Sequence, residues 1–199
     1  MIVEVLAIGT ELLLGQIVNS NATRIGERLA DAGLDHYQQT VVGDNDARIV
    51  EALADACSRA DAVIITGGLG PTRDDLTREA MARAAGVELV FDNVQADALR
   101  ARWELRGRTM PDSNLRQAER PEGSTLIPNP KGTAPGIRML IDGTWVSWYG
   151  PRIARAAHPA PLDLWRARAA NGRLAPPARA VEKSLHPRSF IQALRVPCR

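Results

Sequence analysis

Residues 66–75 read TGGLGPTRDD, three glycines and a proline followed by two adjacent carboxylates, Asp74 and Asp75. A glycine-rich turn can bring backbone N–H groups within reach of an anion, and a helix that follows adds partial positive charge at its start. Gly67, Gly68 and Gly70 are therefore candidates for cradling a phosphate. Carboxylates alone would repel that phosphate. A divalent cation reconciles the two, because it neutralises the acids and bridges to phosphate oxygens. Asp74 and Asp75 are thus the candidate metal ligands and, with Asp44, the candidate catalytic residues. A simpler role stays open, since acids in a first helical turn also offset the helix dipole by ~0.3–1 kcal/mol each. Thr72 falls where a helix N-cap belongs, with Asp75 three residues on, a relative of the capping box.

A second candidate stretch is NPKGTAPG, residues 129–136. Lys131 is the only lysine in the first 150 residues, against fourteen arginines. It would offer a point charge to a phosphate beside the amides of Gly132 and Thr133, with an ordinary surface-turn lysine as the alternative. Other chemistries find no foothold in the sequence. His36, His158 and His186 are scattered, Cys57 and Cys198 lack metal or disulfide spacing, and no serine or cysteine nucleophile stands out.

Alternating elements must position these residues. IVEVLAI (2–8) is a short β-branched run ending at Gly9, as a buried strand would be. NSNATRIGERLADAG follows with Ala22, Ile25, Leu29 and Ala32 at helical spacing, an Asn/Ser cluster to cap it and Gly33 to stop it. YQQTVV (37–42) predicts a second strand, DNDARIVEALADACSRA a second amphipathic helix, DAVIIT (61–66) a third strand, and RDDLTREAMARAAG a third helix. The alternation implies parallel strands covered by helices on both faces. Ligands of such sheets sit beyond the carboxyl ends of the strands, which is where Gly9–Glu11, Gly43–Asn45 and Thr66–Asp75 would lie. Glu11 and Asp44 would then extend the acidic cluster, and Asn19 and Asn21 become candidates for hydrogen bonds to a ribose or base. From 87 to 123 the pattern loosens around one helix at VQADALRARWELRG, before short strands at STLI, IRMLI and TWVSWY.

Composition fits one soluble domain with an appendage, at 199 residues and 45% hydrophobic content. The apolar runs are too short to cross a bilayer and the N-terminus lacks a basic start, so a cytoplasmic location is expected, with no membrane partner. Net charge is +2, yet residues 151–199 alone hold ten basic and two acidic residues. Those arginines are scattered among alanines and prolines, so nucleic acid is not the expected partner. The segment 147–199 reads as disordered, with a helical turn at LDLWRARA.

AIGTELLLGQIVNSNA, TGGLGPTRDDLTREA, MPDSNLRQAERPEGS and NPKGTAPG, in this order, resemble the N-terminal domain of the CinA competence/damage-inducible family, a branch of the MoaB/Mog molybdopterin-binding superfamily. The resemblance implies a three-layer α/β/α sandwich with a mainly parallel sheet over residues 1–146, which self-associates as a homo-oligomer. It implies a nucleotide or pterin ligand and a divalent metal ion (Mg, Mn or Co). In CinA-type proteins the chemistry is hydrolysis of ADP-ribose to AMP and ribose 5-phosphate; in Mog-like relatives it is molybdopterin binding and adenylylation. The relatives' RDVT aspartate falls on Asp75, their aspartate after the second strand on Asp44, their glycine loop on Gly67, Gly68 and Gly70, and their GTAPG segment on Gly132 through Gly136. The sequence also departs from that family. The stretch after 146 is too short for the amidase domain of full-length CinA proteins. WYGPRIARAAHPAP also replaces an LPGVPxEM-like turn, as translation in a shifted frame would do.

Overall fold

The computed structural model describes residues 1–68, 70–72, 75–129 and 132–150. The apolar runs VEVLAI and AVIIT become interior strands of the sheet. β1 (Val3–Ile8) and β3 (Ala62–Thr66) are buried at every position, as parallel strands covered on both faces must be. β2 (Gln39–Val42) sits at the sheet edge, exposed at its first residue and buried only at its last. With β6 (Thr125–Ile127), β7 (Gly136–Ile141) and β8 (Thr144–Tyr149), the order is β2-β1-β3-β8-β7-β6. The first four of these run parallel, β7 runs against them, and β6, antiparallel to β7, runs with them again. β7 reverses into β8 through Asp142 and Gly143, whose φ values of 49° and 82° suit a two-residue type I′ turn.

The helices cover both faces, which gives the expected sandwich. α2 (Ser20–Asp31) lays Ala22, Ile25 and Leu29 on Val3, Val5 and Ile64. On the opposite face α3 (Asp46–Arg59) and α4 (Thr77–Ala85) bring Ile49, Leu53 and Met81 against Leu6, Ile8, Val63 and Ile65. Asn19 caps α2 by accepting from Ala22 N at 3.3 Å, and Asn45 caps α3 by accepting from Arg48 N at 3.1 Å. A four-residue helix, α1 (Thr10–Leu13), follows β1 directly.

Three expectations need correcting. The helix expected over 73–86 starts at Thr77, so Thr72 is not its N-cap. The sheet runs through to Tyr149, past a boundary placed at 146. The loose region from 87 to 123 is a small satellite, in which β4 (Leu89–Phe91) pairs antiparallel with β5 (Glu119–Pro121). α5 (Asn93–Glu104) and a 3-10 helix (Asp112–Ala118) complete it around Ala96, Leu99 and Ala118. The disorder and shifted frame expected of the tail fall on residues 151–199, outside the described residues.

One polar residue breaks the central apolar run. Glu4 on β1 is 4% exposed and takes a bidentate pair from Arg59 at the end of α3, Nε to Oε1 at 2.8 Å and Nη2 to Oε2 at 3.0 Å. Removing one partner of a fully buried pair costs ~3–5 kcal/mol, but the Arg59 side chain is 40% exposed, so solvent recovers part of it. Glu4→Gln is therefore expected to cost about 1–2 kcal/mol, read as a lower urea midpoint at unchanged slope.

Candidate functional site

Strand register decides which turns share an edge. Ile8 pairs with Val42, Ala7 with Thr66, Thr66 with Tyr149, and Trp148 with Ile137. The turns leaving β1, β2 and β3 therefore open on the same carboxyl rim as the segment that enters β7. Side chains lock the first two of these turns together: Thr10 N donates to Asp44 Oδ2 at 2.8 Å, and Asp44 N donates to Thr10 Oγ1 at 3.1 Å. Asn21 Nδ2 reaches Thr66 Oγ1 at 3.4 Å, which brings the start of α2 to the rim. Glu11 folds back over Gly9, where an added Cβ would lie 2.6 Å from its Oε1.

The glycine turn is built by close approach. Gly67 has φ of 104°, and a Cβ there would lie 1.9 Å from the Ile8 carbonyl oxygen. At Gly68, with φ of 60°, a Cβ would come within 2.3 Å of Thr77 Oγ1. Donors from three elements hold the turn's carbonyls. Trp148 Nε1 donates to Gly67 O at 2.7 Å, Arg78 Nη2 to Gly70 O at 3.1 Å, and Arg116 Nη1 to Thr72 O. Arg116 also pairs with Glu79 at 2.6 Å.

Asp75 closes the turn from within. Its Oδ1 accepts from Gly70 N at 2.7 Å, and its Oδ2 accepts from Thr72 N at 2.9 Å and from the Thr72 hydroxyl. Half of the capping relation read in the sequence survives: Asp75 accepts from Thr72 N as in a capping box, but the Thr72 hydroxyl donates to the carboxylate and Asp75 N turns to Thr72 O at 3.3 Å. Asp74 and Lys131 lie outside the described residues. Among the described residues no three of His, Cys, Asp and Glu gather into a cage for a metal. Asp75 accepts three hydrogen bonds, which leaves its carboxylate room for at most one bond to a cation, and such a cation would keep most of its water, as Mg²⁺ does.

In the second stretch Asn129 Nδ2 donates to Ala134 O at 2.8 Å, and a Cβ at Gly132 would lie 2.5 Å from that nitrogen. Arg102 from α5 donates to the carbonyls of Asn129, at 3.1 Å, and Gly132. Thr133 lines a cleft of about 490 Å³ with Gln95, Leu99, Arg102 and Leu126, on the satellite side of the loop. Gly136 is buried at the start of β7, where a Cβ would lie 2.8 Å from Trp148 O.

Several buried polar atoms near this rim have no hydrogen-bond partner among the described residues: Asn19 Nδ2, Asn21 Oδ1 and Thr77 Oγ1. Native interiors leave few such atoms unsatisfied, so each is a place where a ligand or water could bond. Burial raises the Tyr149 hydroxyl's pKa, which keeps it a neutral donor. Burial also pushes the Cys57 thiol up to about 12, which removes it as a nucleophile at neutral pH.

Arg78, Arg102, Arg116 and Trp148 escape a reading of the motifs. For Arg78 a signal existed: it falls in phase with Met81, Ala82 and Ala85, a basic residue on the apolar stripe of its helix. For Arg102 and Arg116, no local pattern marks a guanidinium that will reach a distant carbonyl.

Residues 4–147 match the family model described as "Probable molybdopterin binding domain". A "CinA-like protein" of Frankia casuarinae is 51% identical over 155 residues, which is 75% of this chain and 36% of that protein. The chain thus spans about a third of the length of the curated relatives it matches. Among solved structures, the CinA protein of Thermoplasma acidophilum superposes with a TM-score of 0.74 at 30% identity, covering 83% of this chain and 97% of its own. The molybdopterin biosynthesis enzyme MoaB of Thermus thermophilus shares the fold at a TM-score of 0.51 and 19% identity, over 83% of this chain and 96% of its own. No helix among the described residues is long and apolar enough to cross a membrane.

Proposed function

Because this chain belongs to the CinA-like branch of the MoaB/Mog molybdopterin-binding family, we propose that its rim holds a nucleotide by its linked phosphates and hydrolyses ADP-ribose to AMP and ribose 5-phosphate. The observation that carries this reading is the glycine turn. It is closed by Asp75, braced through its carbonyls by Arg78 and Arg116, and set on the same rim as Asp44. Cationic and acidic groups on one rim suit a diphosphate that arrives with a divalent ion, and suit neither partner alone.

In this reading the turn receives the diphosphate, and the two guanidiniums behind it add positive potential. Asp75 and Asp74 would hold the ion, and Asp44, fixed through Thr10, would orient the attacking water. A bound divalent ion supplies charge neutralisation at a phosphoryl oxygen and a more acidic water. Asn19 and Asn21 would offer the sugar or base their amide atoms that have no partner among the described residues. Lys131 would add a point charge from the neighbouring loop.

The family description favours a second reading, in which the same rim binds a pterin. One experiment separates them. Purified protein with ADP-ribose and Mg²⁺, Mn²⁺ or Co²⁺ should release AMP, and the release should vanish with EDTA. Absence of AMP together with a co-purifying pterin fluorophore would decide for the second reading. Calorimetric binding of ADP-ribose without turnover would leave a nucleotide-binding module.

A further inference from the structure

Two charged side chains are buried to within a few per cent among the described residues, Glu4 and Arg78. Glu4 has Arg59. Arg78, 1% exposed, has no carboxylate at ion-pair distance among the described residues. One of its nitrogens, Nη2, donates to Gly70 O at 3.1 Å; its guanidinium carbon lies 5.8 Å from the Trp148 ring centre, and its buried Nε has no acceptor. Glu79, Glu119 and Asp75 attract it from beyond ion-pair distance and Arg116 repels it; one Glu79 oxygen takes Arg116, and both Asp75 oxygens take the turn's own donors. Burial lowers the guanidinium's proton affinity, yet arginine stays charged in proteins. A buried cation with no carboxylate in direct contact destabilises the state that contains it, and such an arrangement persists where a further partner supplies the missing contact.

We propose that Arg78 is the buried counter-charge of the anionic ligand, a positioning residue that acts through the Gly70 peptide it holds. This inference rests on reading the glycine turn as a phosphate seat, and names what gives that seat its preference for highly charged anions. Because the site is shielded from water, the attraction is weakly screened. Arg116 holds the next carbonyl with a side chain 27% exposed, so it contributes less.

The test is calorimetric titration of the whole chain with inorganic pyrophosphate in the presence of Mg²⁺, alongside thermal melts without ligand. Arg78→Met removes a buried charge that has no ion-pair partner among the described residues, so the ligand-free protein should melt within about 3 °C of the original. Its affinity for pyrophosphate should fall at least about tenfold. A merely structural role predicts the reverse, a lower melting temperature with affinity kept in whatever remains folded. Arg78→Lys keeps the charge and should bind within about threefold of the original, which also decides the matter if the methionine variant does not fold. A folded lysine variant that loses tenfold or more overturns the proposal, as does a methionine variant that binds normally. If the unmodified protein binds no pyrophosphate, the phosphate-seat reading falls as well; if it binds and the methionine variant matches it, only the role of Arg78 falls.

Discussion

Asp75→Asn should lower metal-dependent AMP release from ADP-ribose by about a hundredfold or more, the scale expected when a metal's direct ligand or its support is lost. Two effects contribute, and they can be separated. The carboxylate loses its charge, so a divalent ion binds more weakly and higher Mn²⁺ should restore part of the activity. The turn also loses an acceptor, because Asp75 uses both oxygens for Gly70 N, Thr72 N and the Thr72 hydroxyl. An asparagine offers one oxygen and sets its NH₂ against an N–H. That mismatch costs about 1–2 kcal/mol, seen as a modest drop in melting temperature. Full turnover in the variant would remove Asp75 from the chemistry. A collapse in turnover that no metal concentration relieves would make its role the shaping of the turn.

Gly67→Ala is expected to be the most damaging single methyl group added at any of the described glycines. The alanine would need φ of 104°, and its Cβ would lie 1.9 Å from a backbone oxygen of β1. Because that neighbour is backbone, no rotamer change relieves the clash, and β1 is fixed by pairing on both sides. Strain of this kind costs ~1–3 kcal/mol before the clash is counted, so a total of at least about 3 kcal/mol follows. The melting temperature should fall by about 6–12 °C, and any folded remainder should bind pyrophosphate poorly. A variant that melts within about 2 °C of the original would show that the turn can be rebuilt around a side chain.

Much of this architecture was legible because the signals were local. VEVLAI and AVIIT have no polar face, which left burial on both sides as their stable state. The Asn19 and Asn45 caps lie beside the helices they start. The satellite was not legible, since β4 and β5 have three residues each, too few for any period to show. At the site, the glycines and Asp75 could be named from spacing, but not that the Thr72 hydroxyl would meet the Asp75 carboxylate in place of its N–H. TRDD fits a cap before a helix equally well as a turn closed by its last acid. The helix start at Thr77 decides it. Arg78 and Arg116 depend on contacts between elements far apart in the chain, which residue order does not record.

The place of β8 between β3 and β7 has a consequence for synthesis on the ribosome. β1, β2 and β3 can pair as soon as residues 1–66 emerge, but the other edge of β3 waits for residues 145–149. For several seconds, at ~5–20 residues per second, AVIIT presents an unpaired apolar edge, a template for pairing with another nascent chain. The tight Asp142-Gly143 reversal shortens the danger. β7 and β8 can close as a hairpin in ~1–10 μs and dock as a unit, so the exposed interval is set by translation rather than by folding.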